Sequence, residues 1–100
     1  MKTGGIVVCT YKTKEGKEDA FQKVLREHWE TLDRLGLVQP QPRLLLRGNG
    51  EKNQNEFIEV FAWKDAQAVE TAHQSPEVRT MWAPMEELCE SMQFPHYDPI

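Results

Sequence analysis

Ile6-Val7-Val8-Cys9, Leu44-Leu45-Leu46 and Phe57-Ile58 put apolar side chains at consecutive positions of three short segments that read as strands, the first of them rich in β-branched and aromatic residues. Successive residues of a strand point to opposite faces of a sheet, so runs of this kind load both faces with apolar groups. Helices packed on one side cover only one of them. An open apolar patch of roughly several hundred Å² marks an interaction surface, and burying it gains about 25 cal/mol per Å². The economical cover is the same face of a second copy across a two-fold axis. The pattern therefore predicts a homodimer with its sheets face to face.

The strands are expected at 6–12, 43–47, 57–63 and 93–98, with Pro40 and Pro42 marking a connection before the second. Phe21, Val24, Leu25, Trp29, Leu32 and Leu35 recur at three- and four-residue steps, and Gly36 supplies a stop, which predicts an amphipathic helix over 16–35. The polar, glycine-bearing stretch 48–55 suits a hairpin loop. Asp65 is placed to cap a short helix running to about residue 73, and Ser75 followed by Pro76 opens another. Pro84 falls inside that helix and is expected to kink or split it near Ala83. The order β-α-β-β-α-β specifies a single α+β domain over residues 1–100: a ferredoxin-like antiparallel sheet with helices on one face.

Charge and composition narrow the partners. The net charge is −4, and the 12 Lys and Arg residues alternate with acids without forming a stripe, so nucleic acid is not an expected partner. The apolar runs fall far short of the roughly 20 residues that cross a bilayer, and no signal-peptide pattern opens the chain, so no membrane partner and a cytoplasmic location are expected. Cys9 and Cys89 lie among apolar neighbours and read as buried free thiols. His28, His73 and His96 show no metal-ligand spacing, and phosphate-binding glycine loops are absent, so neither metal nor any other cofactor is expected.

Within the first helix His28 interrupts the apolar stripe and should face the sheet, where an imidazole works either as a base or as a partnered core residue. Glu59 lies in an apolar strand and must be paired, for which Arg43 or Arg47 on the neighbouring strand is available, or solvated in a cavity, where it would join the pocket residues. Tyr11, Trp29, Met81, Trp82 and Met85, with Trp63 as a further candidate, have the composition of a pocket for a flat apolar ligand. His73 and His96 read as cap or surface residues on position alone.

The stretch from Phe57 through Trp63-Lys64-Asp65, followed by Ala68-Val69, His73 and Ser75-Pro76-Glu77-Val78, resembles the antibiotic biosynthesis monooxygenase family of the dimeric α/β-barrel superfamily. Together with the element order, the resemblance spans nearly the whole chain. It implies paired sheets in a dimeric barrel, a pocket between helices and sheet to which His73 belongs, and oxidation of a small aromatic or quinone-type molecule without metal or flavin. His73 stands two residues before Ser75 where the family commonly has three, and Phe61 replaces an acid found in many relatives. Trp82 aligns where heme-degrading members of the superfamily carry a His, which argues against heme. A non-catalytic ligand-binding or stress-related dimer, and a cyclase or isomerase using the same base, remain open.

Overall fold

A computed structural model describes residues 5–100. The elements are β1 (Ile6–Thr13), α1 (Glu18–Arg34), β2 (Val38–Arg47), β3 (Glu56–Trp63), α2 (Ala66–Gln74), α3 (Pro76–Leu88), β4 (Cys89–Gln93) and β5 (His96–Tyr97). The strands form one antiparallel sheet in the order β2-β3-β1-β4, with β5 continuing alongside β1. This is the expected α+β architecture.

Local chemistry sets most boundaries. α1 ends where Gly36 takes a φ of +74, and the Leu37 amide then bonds back to the Leu32 carbonyl. The Asp65 side chain accepts from the Ala68 amide and opens α2, while Ser75 accepts from Val78 and, with Pro76 behind it, opens α3.

Three expectations need correction. β2 starts at Val38 and contains both prolines. It pairs on one side with β3, and its register jumps from Val38 opposite Trp63 to Arg43 opposite Phe61, so the intervening prolines bulge off the ladder and owe it no donors. α3 runs past Pro84 without splitting. It passes directly into β4 at Cys89, four residues before the expected start of the last strand, and β5 then occupies only His96 and Tyr97. Met85, Leu88, Cys89 and Met92 have helical spacing, but pairing of Met92 with Tyr11 draws their end of the chain into the sheet.

The core lies between the helices and one sheet face. Val7, Cys9 and Tyr11 of β1 alternate inward, as do Phe57, Glu59 and Phe61 of β3, against Phe21, Leu25 and Leu32 of α1. Phe21 meets Tyr11 and Phe57 at ring separations of 5.0 and 5.1 Å, tilted edge to face. Leu35, expected in the helix stripe, caps α1 and is exposed. On the other sheet face the register builds two rungs: Leu46, Ile58 and Thr10, then Leu44, Val60 and Val8. Leu44 is 49%, Leu46 46% and Ile58 36% exposed, so this apolar face is open among the described residues. Among the described residues no helix is long and apolar enough to cross a membrane.

Candidate functional site

Four polar side chains meet inside the apolar layer. His28 projects from α1 on the stripe of Phe21, Leu25 and Leu32, and Glu59 projects from β3 between Phe57 and Phe61. β1 sets Cys9 opposite Glu59, which brings Tyr11 to the carboxylate from the next inward position. The Tyr11 hydroxyl donates to Glu59 Oε1 at 2.7 Å, and His28 Nδ1 lies 3.0 and 2.9 Å from the two Glu59 oxygens. From α3, the Trp82 Nε1–H donates to His28 Nε2 at 2.9 Å.

The direction of this chain of bonds follows from the donor inventory. An indole N–H only donates, so His28 Nε2 accepts and Nδ1 carries the proton that is donated to Glu59. Glu59 is 0% exposed, and its carboxylate gains two inward donors in place of water, which offsets the cost of burial. Burial, reinforced by the charge of Glu59, raises the Tyr11 phenol well above the usual range. The same two causes raise the Cys9 thiol, so it stays protonated near neutral pH and is a poor nucleophile there. Cys89, also a free buried thiol, is pushed up to about 11 by burial.

A cavity of about 390 Å³ opens beside this chain. Val7, Cys9 and Tyr11 of β1 and Phe61 and Trp63 of β3 form its floor, His28, Trp82 and Met85 its helical wall, and Val69 and His73 of α2 one side. Met92 of β4, Phe94 on the segment joining β4 to β5 and His96 of β5 complete the lining. The composition is that of a ligand pocket: mostly apolar, with a few convergent polar groups.

Of the residues expected to line a pocket, Tyr11, His73, Trp82 and Met85 do so, together with the expected base His28 and Trp63. Trp29, Met81 and Glu59 do not. Trp29 follows His28 directly and so stands about 100° round the helix. It lies instead beneath the Arg43 guanidinium, 4.2 Å from its ring centre, with an indole N–H that finds no acceptor among the described residues. Met81 is rotated likewise from Trp82 and packs on the core. Glu59 sits behind His28, and neither arginine pairs with it: Arg47 reaches Asp19, and Arg43 lies 3.9 Å from Glu30. His96 and Phe94 are lining residues that position in the sequence did not reveal, although their two-residue spacing puts both on one side of an extended segment. Among the described residues no three His, Cys, Asp or Glu side chains converge as metal ligands would.

Compared by sequence, the chain matches no protein-family model and no curated protein. Compared by structure, it matches 38 solved chains. PA3566 from Pseudomonas aeruginosa shares 15% identity over 100% of this chain and 97% of its own, with a TM-score of 0.81. A Nitrosomonas europaea protein described as an antibiotic biosynthesis monooxygenase shares 14% over 100% and 94%, at 0.78. A variant of SnoaB, a cofactor-independent oxygenase from Streptomyces nogalater, shares 16% over 96% and 93%, at 0.76. The chain has the antibiotic biosynthesis monooxygenase fold. At identities of 14–16% the agreement concerns the backbone, and within this monooxygenase fold the reaction must be argued from the cavity itself.

Proposed function

We propose that this chain is a cofactor-independent monooxygenase-like enzyme, active as a homodimer, that takes a small aromatic or quinone-type molecule into the cavity and uses His28 as its base. The observation that carries the reading is the buried Glu59 bonded behind His28 on the wall of a largely apolar cavity. SnoaB, which shares the fold, is a cofactor-independent oxygenase.

The arrangement suits proton removal. A proton taken at Nε2 produces an imidazolium whose Nδ1–H already points at Glu59, and the fixed carboxylate stabilises it. On an anthrone-type CH₂ group this leaves a carbanion that passes one electron to O₂. The resulting radical pair joins carbon to oxygen, His28 returns its proton to the peroxide, and loss of water leaves the carbonyl, so that CH₂ and O₂ become C=O and H₂O.

Oxygen uptake with a hydroxyl-bearing anthrone, corrected for its spontaneous oxidation, tests this. The wild type should consume oxygen, and His28→Gln, assayed where it is folded, should turn over about 10²-fold more slowly or worse. A wild type that takes up no oxygen above background overturns the oxygenase reading. A second reading, a ligand-binding dimer without catalysis, draws on one observation: His28 Nε2 already has a partner in Trp82. Saturable ligand binding without oxygen uptake would favour it; proton transfer without oxygen would favour an isomerase or cyclase. The dimer is supported by the open rungs carrying Leu44, Leu46 and Ile58. Sedimentation should give about twice the chain mass of 11.6 kDa, and a monomer at micromolar concentration would overturn the pairing.

A further inference from the structure

Trp82 occupies the nitrogen through which His28 faces the cavity. Its N–H donates to Nε2 at 2.9 Å, while Nδ1 is committed to both Glu59 oxygens at 3.0 and 2.9 Å. Nε2 is thus an acceptor already in use, and a molecule that engages His28 must take it over. The two sides of this bond differ in freedom. Behind Nε2, His28, Glu59 and Tyr11 are 4%, 0% and 2% exposed and bonded to one another. In front, the indole of Trp82 is half-buried, lines the cavity of about 390 Å³, and has the exposed ring of His73 as a neighbour 5.1 Å away. The side with room to turn is Trp82.

We infer that Trp82 is a specificity-determining residue: it competes with ligands for His28 Nε2 and yields to hydroxyaromatic molecules, whose O–H replaces the indole N–H. Hydroxyl donors make shorter hydrogen bonds than N–H donors, so the exchange favours a phenol. Within the aromatic and quinone-type class proposed above this selects the hydroxyl-bearing members, because a quinone without a hydroxyl, or an aryl ether, has no proton to offer this acceptor. Such a molecule either leaves the indole in place or leaves Nε2 unpaired, and sites built around a hydrogen bond reject analogues that lack it. The inference rests on the cavity being a ligand site and requires no oxygen chemistry.

The test uses 1-naphthol and 1-methoxynaphthalene, matched in ring system and differing in the donor, titrated under argon into wild type and Trp82→Phe. In wild type, naphthol should move the indole N–H resonance that Trp82→Phe removes, and the ether should leave it in place. In Trp82→Phe the competitor is gone, so naphthol should bind about five- to tenfold more tightly while the ether changes by less than about twofold. A merely structural Trp82 would alter both ligands equally. That result, a Trp82 resonance unmoved by saturating naphthol, or no saturable naphthol binding at millimolar concentration overturns the inference. Selective naphthol binding alongside a failed oxygen-uptake assay would retire the oxygenase reading and leave the role of Trp82 standing.

Discussion

Ile58 and Glu59 are neighbours in β3 that point to opposite faces, and the chain treats those faces in opposite ways. Under the helices, a buried carboxylate is bonded to Tyr11 and His28, and a cavity lined largely by aromatic and apolar side chains opens beside it. On the far side, Ile58 stands with Leu44 and Leu46 in rungs that are left open among the described residues. The polar group is enclosed and the apolar groups are open, the reverse of what simple partitioning gives. An enclosed polar chain must be satisfied internally, which fixes its geometry for chemistry. An open apolar face can be satisfied only externally, which suits it to the proposed assembly. One strand thus separates the proposed site from the proposed interface by its two-residue period.

The largest effect that would sharpen this contrast is at Glu59. Glu59→Ala leaves the His28 Nδ1–H and the Tyr11 hydroxyl facing a gap inside the protein, and removal of one partner of a buried pair costs about 3–5 kcal/mol. Urea unfolding should show a loss of that size. A change under about 1 kcal/mol would mean that water reaches the chain and that the two faces differ less than the structure indicates. Next in size is the open face, where Leu46→Glu with Ile58→Glu places like charges against their symmetry mates. Such contacts cost several kcal/mol, so the dimer dissociation constant should rise about 10²-fold or more while the circular dichroism of the chain is kept. A double variant that stays dimeric would move the interface elsewhere.

Alkaline titration probes how dry the enclosed face is. Cys9 and Tyr11 start from ordinary values of 9.0 and 10.0, and burial raises both in the folded chain. Their protonated forms are favoured by folding, so this contribution is whole below about pH 9 and is lost as pH climbs and the unfolded chain releases protons that the folded one retains. Unfolding free energy should fall by about 1.4 kcal/mol per pH unit for each group ionised only when unfolded, and Cys9→Ala should remove one group's share of the slope. Stability that stays level from pH 9 to 11 would contradict the enclosure of Cys9 and Tyr11.

How much of this could be read beforehand depends on the distance over which each feature is decided. The stripe of α1 as far as Leu32, the caps Asp65 and Ser75, and the double-faced strands are local patterns that the sequence makes legible. His28 was visible because it breaks a local period. Its partners were not: Glu59 meets Tyr11 through a strand register spanning 48 positions, and no local spacing encodes that pairing. The nearby arginines were plausible only while the direction of each side chain was unknown. The early starts of β2 and β4 are not written locally, because edge position excuses the prolines of β2 and pairing with β1 sets where β4 begins. Trp29 was placed in the pocket by composition, although its adjacency to His28 turns it away.

The smallest effect tests where the enclosed face ends. β2 pairs on one side only, and Arg43 there lays its guanidinium over Trp29, 4.2 Å from the ring centre, so that a cation closes the layer at its margin. An exposed cation over an indole is worth about 0.5–1 kcal/mol. The competing account is the ion pair with Glu30, but its 3.9 Å separation and exposed partners make it worth a few tenths of a kcal/mol at about the most. Arg43→Leu keeps an apolar cover over the ring and removes the charge, so it should lose about 0.5–1 kcal/mol in urea unfolding, independently of added salt. Glu30→Gln should change stability by less than half as much. If the two substitutions cost the same and both effects fade in salt, the ion pair holds Arg43 in place, and the margin of the enclosed face is set by surface charge instead of by stacking on Trp29.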